Sequence, residues 1–497
     1  MKNKCYLMGI DTGTTHTKVG VYDTDGKEII FKKSSTPIVF LSSGGAEFNP
    51  QSIWEKLVQL IKEIPLSIRD NVKAVSIGSF AETVYPLDAK DTPLDNGIAW
   101  FDLRTLPQNE KVKNLLGEKF IREITGLSPS WIYSLNKILW FKENKPLLYK
   151  RTKKWLDNAG YIIFKLSGEK VIDYSLACRT MMFDVKNRCW SKRILGEFDI
   201  DVGTLPEPVP SGTVIGKVDK HVSENTGLKE GTLVVSGGHD HLCAALSVGV
   251  IEEGRIQDST GTTESILVTL KGDTKKIIEI TEIAQKEGFT LANHVVKDAF
   301  CLFQGMYCGG LLLDWFLGNI LKNVDYSILE KIVSYEDNIP FFIPYLRGSE
   351  IGIMSGALLG LKDFHTRESI LASITETVAF ELKKMVDSLE KFIDISGWIV
   401  RSVGGGAENK LLLKCKANLL GKKVEVSEHK EATSKGAALL AGIGCGVYKD
   451  EFEAVEKTFN ISEVYTPEVS QAEKIQRRYE KYRKILAKYK EIEENLK

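Results

Sequence analysis

The sequence lacks paired cysteines. None of its eight cysteines stands in a CxxC pair, and they are scattered singly along 497 residues. Disulfide frameworks and zinc ribbons both need regularly spaced cysteines, so neither class of protein is indicated. We therefore expect reduced thiols at Cys5, Cys178, Cys189, Cys243, Cys301, Cys308, Cys415 and Cys445.

The sequence also lacks a net charge and a long apolar run. Lys and Arg together number 66, as do Asp and Glu, so the formal net charge is zero. This balance gives no electrostatic case for binding nucleic acid or an anionic membrane. No stretch is apolar over the roughly 20 residues of a bilayer-spanning helix, and the start shows no signal-peptide pattern. We expect a cytoplasmic protein with neither nucleic acid nor membrane as a partner.

The length of the chain predicts two large domains. A chain of 497 residues is too long for one hydrophobic core. We place the division between residues 1–247 and 248–497, with a helical tail from about residue 468. The tail carries apolar residues at alternating four- and three-residue steps, so we expect an amphipathic helix that docks on its own domain.

A hairpin near the start is the first candidate for chemistry. Two short apolar strands, residues 7–10 and 19–22, flank the segment Asp11-Thr12-Gly13-Thr14-Thr15-His16-Thr17-Lys18. An acid, a glycine, several hydroxyls and a lysine form a cradle for phosphate and metal. No helix follows the loop, so the segment matches neither a Walker loop nor a dinucleotide fingerprint. An ordinary glycine turn with surface threonines is the alternative.

The same plan recurs about half the chain later. Residues 254–268 again contain a strand, an Asp, the loop Gly261-Thr262-Thr263 and a second apolar strand. Two copies so far apart suggest two similarly built α/β domains that face each other across a deep cleft. Duplicated RNase H-like domains, as in actin, hexokinase and Hsp70 chaperones, clamp ATP in this way.

Polar residues that end strands in the first half are candidates for the acceptor site. Glu82 follows a buried strand, and Trp100 and Asp102 follow another. A local Asp–Arg pair is an equal alternative for Asp102. His239 and Asp240 end a third strand before a helix, where a carboxylate can point into a cleft; an inert helix N-cap is the alternative for Asp240. Two histidines that flank an acid also suggest zinc, but no third ligand has the spacing that a zinc site needs.

A glycine-rich turn in the second half suits a nucleotide. Residues 404–406 are three successive glycines between a strand and a helix, where a flat ligand can lie against the backbone. Ala407 and Asn409 follow. We further predict helices over residues 137–149, 153–166 and 369–392 from their apolar spacing.

The ordered motifs DxGTTxxK, WxDxRT, GGHDH, the second GTT loop and GGGAEN resemble those of the FGGY carbohydrate kinases, the family of glycerol, xylulose, gluconate and rhamnulose kinases. The resemblance covers nearly the whole chain. Residues 134–143 fit one family signature, although Ile132 stands where an aromatic or small residue is usual. Residues 356–361 with 369–376 fit the other, with Ser369 as a departure.

The resemblance implies a role for each matching residue. Asp240 corresponds to the catalytic base, and Asp11 and Asp240 to carboxylates that place Mg²⁺, through water in the family pattern. Glu82, Trp100, Asp102, His239 and Asp240 match the sugar-binding neighbourhood of the N-terminal domain. The residues that correspond to ATP-binding positions are Asp11, Gly13, Thr14, Thr15, Lys18, Gly261, Thr262, Gly310, Asp314, Gly405, Gly406, Ala407 and Asn409.

These correspondences predict a kinase that uses ATP and Mg²⁺ and acts on an open-chain sugar or polyol. A homodimer is a possible assembly. The segment Ser79-Phe80-Ala81-Glu82 lacks both the Arg-Glu of glycerol kinases and the Gln-Met-His of xylulose kinases. The sequence therefore leaves the substrate open. A chaperone-like ATPase and a non-catalytic sugar sensor of the same fold are the alternatives.

Overall fold

The protein is described from a computed structural model. The structure describes residues 5–42, 44–261, 263–272, 274–306, 309–322, 328–329, 338–346 and 355–495. Two residues singled out above, Thr262 and Cys308, lie outside the described residues.

The first half is built around a six-stranded sheet of the described residues, in the order β14–β15–β6–β1–β2–β3. Strands β4, β5 and β7 to β13 form smaller sheets or ribbons beside it. The strands of this half are β1 (Tyr6–Thr12), β2 (His16–Tyr22), β3 (Glu28–Ser35), β4 (Val39–Phe40), β5 (Ala46–Phe48), β6 (Val72–Ser79), β7 (Val84–Leu87), β8 (Gly97–Ile98), β9 (Lys154–Asp157), β10 (Val171–Asp173), β11 (Phe183–Asp184), β12 (Cys189–Trp190), β13 (Glu207–Val209), β14 (Val214–Lys217) and β15 (Leu233–His239).

Helices cover this sheet and connect its strands. Strand β1 pairs in parallel with β6, and β6 pairs in parallel with β15, so all three end at the same edge. The helices of this half are α1 (Pro50–Lys62), α2 (Leu66–Arg69), α3 (Leu106–Leu116), α4 (Glu118–Thr125), α5 (Ser134–Asn144), α6 (Pro146–Arg151), α7 (Asn158–Ser167), α8 (Tyr174–Cys178), α9 (Lys192–Glu197), α10 (Lys220–Thr226) and α11 (Asp240–Ser247).

Two helix predictions in this half are corrected by the structure. The predicted helix over residues 153–166 begins with strand β9, which pairs with β7, and only its second part is helical. The predicted helix over 137–149 is divided into α5 and α6 at Lys145 and Pro146. Proline disfavours the helical conformation of the residue before it, which explains the break.

The second half repeats the plan around a seven-stranded sheet of described residues, β18–β19–β17–β16–β22–β23–β24. Its strands are β16 (Arg255–Thr260), β17 (Glu264–Leu270), β18 (Thr290–Asn293), β19 (Phe300–Met306), β20 (Phe341–Ile343), β21 (Ala357–Leu359), β22 (Ile399–Val403), β23 (Val424–Ser427) and β24 (Ile461–Tyr465). Its helices are α12 (Thr274–Lys286), α13 (Gly310–Trp315), α14 (Arg367–Glu390), α15 (Lys410–Leu420), α16 (Ala432–Gly444), α17 (Glu451–Thr458) and α18 (Val469–Glu494).

The duplication is visible in the pairing of the strands. In each half the first strand pairs antiparallel with the second and parallel with a later one: β1 with β2 and β6, and β16 with β17 and β22. Both Gly-Thr loops therefore occupy the same place in their sheets. The predicted fold class, α/β with two duplicated domains, is confirmed.

Helix α16 joins the two halves. It packs on β1 of the first sheet and on α11. Glycines permit this close approach, because a methyl group added at Gly9 would come within 1.7 Å of the Ser434 carbonyl oxygen, and one at Gly436 within 1.8 Å of the Cys243 carbonyl oxygen. The buried hydroxyls of Tyr22 and Ser434 also hydrogen-bond across the junction, at 2.7 Å.

The tail forms helix α18, which docks on α15 of its own half. Its apolar stripe is buried, as the tail prediction requires, at Ile475, Tyr479, Tyr482, Leu486 and Tyr489. Within the part of the chain that the structure describes, no helix is long and apolar enough to cross a membrane.

Candidate active site

The first Gly-Thr loop is the turn between β1 and β2. Gly13 N–H donates to the His16 carbonyl (3.0 Å), which closes the turn and leaves Thr15 exposed at its tip. The register places Asp11 directly opposite Lys18. Lys18 Nζ lies 3.3 Å from the Asp11 carboxylate and 2.8 Å from that of Glu431, just before α16. The hairpin therefore places the Lys18 ammonium group beside the hydroxyl groups of the loop, as the sequence predicts.

Trp100 contacts this hairpin directly. Its indole Nε1–H donates to Thr14 Oγ1 at 2.9 Å. Residues predicted for the sugar and for the phosphates therefore share a hydrogen bond, and the two predicted sites are adjacent.

Asp240 lies at the C-terminal end of β15 and opens helix α11. Its Oδ1 accepts a hydrogen bond from the His241 backbone N–H (2.7 Å), while 25% of the side chain is exposed. Burial raises the pKa of Asp240 to about 7; the charge of Glu82 adds to the rise, and the charges of Arg179 and Lys18 oppose it. A carboxylate with this pKa can exchange a proton near neutral pH.

Asp11 shares this electrostatic environment. Its pKa is also raised to about 7, mainly by burial, with the charge of Asp240 as a further cause and Lys18 as the main opposing one. Asp240 is therefore close enough to Asp11 for its charge to disfavour ionisation of the Asp11 carboxyl.

The two histidines beside Asp240 are neutral. Burial lowers the pKa of His241 to about 4 and lowers the pKa of His239 well below its usual range. The His241 ring lies 5.1 Å from the Phe303 ring on β19, so the two halves touch beside Asp240. Among the described residues, no group of three or more His, Cys, Asp or Glu is arranged to hold a metal ion, which leaves the weak zinc possibility without support.

Glu82 is fixed by an arginine that the sequence did not single out. Arg179 Nε and Nη2 lie 2.8 and 2.6 Å from Glu82 Oε1. Glu82 also has a left-handed backbone conformation, with φ of 70°, and its carbonyl accepts a hydrogen bond from the Ser134 hydroxyl. The structure therefore holds this carboxylate in one place, within electrostatic reach of Asp240.

Asp102 is engaged in a local network. Its Oδ2 accepts from Arg104 Nη2 (2.6 Å) and from the Ala46 backbone N–H (2.7 Å), and its Oδ1 accepts from the Arg104 backbone N–H. Arg104 also pairs with Glu47 at 2.8 Å. This is the local Asp–Arg pair given above as the alternative, and sugar binding by Asp102 stays a prediction.

The second loop is supported by a buried ion cluster. Lys416 Nζ lies within 2.9 Å of Asp258, Thr260 and Glu264, and the lysine and both acids are fully buried. Asp258 lies three residues before Gly261, whereas Asp11 lies two residues before Gly13, so the two acids are offset by one position along their strands. The Asp258 carboxylate is engaged by Lys416. Asp258 is therefore not available to a ligand, because its carboxylate is buried in an ion pair.

Glycines bring the nucleotide-binding candidates against this loop. Gly310 N–H donates to the Gly261 carbonyl at 2.7 Å. A methyl group added at Gly406 would come within 2.3 Å of the Thr260 side chain, whereas Gly405 has open space. The predicted residues Gly261, Gly310, Gly405 and Gly406 thus lie around one point.

The remaining nucleotide candidates flank these glycines. Asn409 caps α15 by accepting from the Leu412 N–H at 3.1 Å, while its buried side-chain amide nitrogen has no hydrogen-bond partner among the described residues. Ala407 lies in the same turn, and Asp314 lies on α13 beyond Gly310.

The sequence missed Arg179, Lys416 and Glu431 as parts of the site. Arg179 stands in a polar loop to which the pattern assigned no role, and Lys416 lies within an apolar helical stretch. A lysine that is buried in a helix interior usually has a charged partner. A lysine on the apolar side of a predicted helix therefore indicates a buried acid nearby. The partner of Glu431 is more than 400 residues away in sequence, which no local pattern reveals.

Comparisons with known proteins agree with this geometry. Two relatives span nearly all of the chain. Xylulose kinase of Bacillus subtilis (strain 168) is 28% identical over 99% of this chain and 99% of its own length. Glycerol kinase of Thermococcus kodakarensis is 28% identical over 91% of this chain and 90% of its own length.

Solved structures share the fold. Gluconate kinase from Lactobacillus acidophilus superposes with a TM-score of 0.87 at 21% identity, covering 99% of this chain and 100% of its own. Plasmodium falciparum glycerol kinase with ADP gives 0.85 at 22% identity, covering 98% of each chain.

Family-wide sequence profiles cover both halves. Residues 6–247 match the N-terminal domain of the FGGY family of carbohydrate kinases, and residues 258–445 match its C-terminal domain. These two ranges take in most of the chain, in the family's order, so the protein belongs to the FGGY family of carbohydrate kinases and is a sugar kinase.

Proposed function

We propose that this kinase transfers the γ-phosphoryl group of ATP to a hydroxyl of an open-chain sugar or polyol, either a ketose such as xylulose or a glycerol-like alditol. The observation that carries the proposal is the convergence of Asp240 with the Asp11–Lys18 hairpin. The charge of Asp240 raises the pKa of Asp11, and the charge of Lys18 lowers that of Asp240. A proton acceptor and a phosphate cradle therefore adjoin.

Asp240 is the proposed general base. It would accept the proton of the attacking hydroxyl, and its pKa of about 7 matches a base that works near neutral pH. Little covalent chemistry is needed in phosphoryl transfer, so positioning and charge neutralisation supply most of the acceleration. Lys18, Thr14 and Thr15 are the proposed donors to phosphate oxygens, while Gly13 and Gly261 lack a side chain and let a phosphate approach the backbone.

The residues present fit Mg²⁺. This ion usually takes one or two protein carboxylates and completes its shell with water and substrate phosphates. Asp11 and Asp240 are two such carboxylates whose mutual repulsion a divalent cation would relieve. When bound, Mg²⁺ supplies positive charge against the phosphates, and Asp11 and Asp240 are the residues that would hold it.

The glycine-lined region of the second half fits the nucleotide. A side chain at Gly406 or Gly310 would collide with the second loop, while the open space at Gly405 leaves backbone accessible. We assign Gly261, Thr262, Gly310, Asp314, Gly405, Gly406, Ala407 and Asn409 to ATP binding. The partnerless buried amide nitrogen of Asn409 is a donor suited to a ligand.

We assign Glu82, Trp100, Asp102 and His239 to the acceptor. Relatives include xylulose and glycerol kinases at equal identity, and both act on neutral acceptors by their names. Carboxylates near the proposed base would repel a sugar acid, so a neutral substrate is favoured. The division at 247/248, a cytoplasmic location, a possible homodimer and the absence of nucleic-acid or membrane partners stay predictions.

The decisive experiment combines a substrate panel with Asp240→Asn. Ketoses, alditols and aldonates are compared by coupled ADP release, and we expect one neutral class to stimulate release. Asp240→Asn should lower kcat by about 10²–10⁴-fold, the usual contribution of a positioned base, with a melting temperature no lower than that of the wild type. Asp199→Asn, at a fully exposed acid, is the matched control.

Other outcomes would reject the proposal. ATP hydrolysis that responds to unfolded peptide instead of sugar would indicate a chaperone-like ATPase, and sugar binding without turnover would indicate a sensor. A folded and fully active Asp240→Asn variant would remove Asp240 from the mechanism.

A further inference from the structure

Arg179 ends the short helix α8 at the edge of the proposed acceptor site. Only 9% of the residue is exposed, and its guanidinium directs two nitrogens at the same oxygen, Glu82 Oε1. It also lies over the Tyr133 ring, 5.1 Å from the ring centroid. The guanidinium is thus fixed on two sides, by a carboxylate and by an aromatic face.

The same helix also holds the strand that carries the base. Ser175 Oγ accepts a hydrogen bond from the His239 backbone N–H at 2.8 Å, immediately before Asp240. Helix α8 and the residue that ends it therefore contact both sides of the site: Arg179 holds the Glu82 carboxylate, and Ser175 holds the backbone just before Asp240. An acceptor molecule between Glu82 and Asp240 would therefore lie next to this helix.

Two other buried Arg–Glu pairs in the chain show what a purely structural pair looks like. Arg478 pairs with Glu376 and joins α18 to α14, and Arg401 pairs with Glu425 between adjacent strands of the second sheet. Neither pair adjoins a proposed catalytic group. The Arg179–Glu82 pair instead lies beside Asp240 and involves a residue with a left-handed backbone, the kind of backbone strain that clusters at functional sites.

We propose that Arg179 is a positioning residue that determines acceptor specificity through Glu82. It fixes Oε1 and neutralises the charge, so that Oε2 faces a neutral hydroxyl of the acceptor at a set distance from the hydroxyl next to Asp240. Without Arg179 the carboxylate loses its ion-pair partner and its fixed orientation. The inference rests on the proposed function, because it assumes that the acceptor lies between Glu82 and Asp240.

The test is a double-mutant cycle with Arg179→Met, Glu82→Gln and the double variant, using the most active sugar of the panel. Each single variant should raise the acceptor KM by about tenfold or more, since losing a hydrogen bond to a charged group weakens binding by that order. The double variant should be no worse than either single one, because both act on one contact. The KM for ATP should change by less than about twofold, because neither residue is assigned to the nucleotide.

Two further variants separate positioning from folding. Arg179→Lys keeps the charge but cannot direct two nitrogens at one oxygen, so its acceptor KM should lie between those of the wild type and Arg179→Met. Arg478→Met removes a buried Arg–Glu partner far from the site; it should lower the melting temperature and leave the acceptor KM unchanged. The double Arg179→Met/Glu82→Gln variant removes both charges of the pair, so it should fold even if Arg179→Met does not.

Calorimetric binding of the same sugar distinguishes this inference from the proposed function. Suppose that the wild type binds the sugar but does not phosphorylate it, and that Arg179→Met no longer binds it. This result would refute the proposed function and support the inference. Phosphorylation by the wild type with an unchanged acceptor KM in Arg179→Met, additive effects in the cycle, or an equal rise in the KM for ATP would overturn the inference alone. Wild-type protein that binds none of the panel would overturn both.

Discussion

Asp157 is a buried acid outside the site, and its charge is unfavourable where it lies. The residue is 4% exposed and caps α7 by accepting from the Ala159 N–H. Burial, followed by the nearby charge of Asp173, raises the pKa of Asp157 from 3.8 to about 7. A carboxyl whose pKa is higher in the folded than in the unfolded protein takes up a proton on folding, so stability falls as the pH rises between these two values.

Asp157→Asn should therefore stabilise the protein in a pH-dependent way. The amide keeps the helix cap, since Asn and Asp are equally good N-caps, and it removes the charge. At pH 4 the melting temperatures of variant and wild type should be nearly equal. At pH 8 the variant should melt a few degrees higher, because each tenfold difference in proton affinity between the folded and unfolded protein corresponds to about 1.4 kcal/mol. Scanning fluorimetry across this range measures the difference.

Asp219→Asn is the control, at an exposed N-cap of α10 that accepts from the Val222 N–H. Because water solvates that carboxylate in both states, its melting difference should not grow with pH. A constant difference for Asp157→Asn across the range would contradict the buried-charge explanation.

Single residues also show what a sequence can and cannot reveal. Asp11, Asp240 and Lys18 were predicted from residue type and from their place at strand ends, and the structure brings them together. Arg179 was not, because a sequence shows the type of a residue and not its partner: Glu82 lies 97 positions away. A near partner does not remove this limit. Arg104 is only two residues from Asp102, yet the sequence could not decide whether Asp102 pairs with Arg104 or binds sugar.

At the scale of elements, helix α16 makes a very close contact with α11. A methyl group at Gly436 would lie 1.8 Å from the Cys243 carbonyl oxygen of α11, the helix that begins at Asp240. In a helix interior, replacing Gly by Ala normally stabilises the protein by about 1 kcal/mol. The contact at Gly436 reverses this preference, because backbone atoms cannot move aside as a flexible side chain can.

Gly436→Ala should therefore destabilise the protein and lower its activity together. Overpacking at such a contact costs about 1–3 kcal/mol, so we expect the melting temperature to fall by a few degrees and kcat to fall as α11 shifts. Gly196→Ala is the matched control, because this helical glycine of α9 has open space around its Cβ position. That variant should be as active as the wild type and equally or more stable; a similar loss in both variants would show that the α16–α11 contact is not the cause.

Helices were predicted well where a regular apolar spacing extends over many residues. Short strands were predicted poorly. Helix α14 was predicted over residues 369–392 and observed at Arg367–Glu390, and the amphipathic tail was found as α18. Strand β9 was missed. Its four residues, Lys154–Asp157, run directly into a helix and gain their strand character from pairing with β7, and such pairing across the fold overrides a short local pattern.

At the scale of the whole molecule, the two halves meet along two seams. One is the α16 seam, where α16 packs on β1 and α11 and where Lys18 pairs with Glu431. The other, which we call the Arg188 seam, joins Arg188 to Asn293 (2.9 Å) and Asp298 (2.9 Å). The duplicated motifs predicted that the halves face each other. They could not predict either seam, because contacts such as Tyr22 to Ser434 span 412 positions of sequence.

The seams constrain how the halves can close on substrates. Closure that excludes water is expected of a kinase, since water competes for the phosphoryl group. Both seams are tied by buried packing or hydrogen bonds, including the Leu291 N–H to the Gly126 carbonyl (2.9 Å) beside the Arg188 seam. Motion is therefore expected in the loops between the seams rather than at the seams themselves.

Hydrogen–deuterium exchange of the full chain tests this arrangement. With the active sugar and a non-hydrolysable ATP analogue together, amides of the hairpin over residues 12–17 and of the turn over residues 404–409 should gain protection. Amides at Leu291 and along α16 should be equally protected with and without ligands, because the seams are already closed. The sugar alone should protect less than both ligands combined, since the hairpin is proposed to bind the phosphates of ATP. Large changes in protection at Leu291 or in α16, with none in the hairpin, would show instead that the halves move as bodies about the loops, and that the seams open during the catalytic cycle.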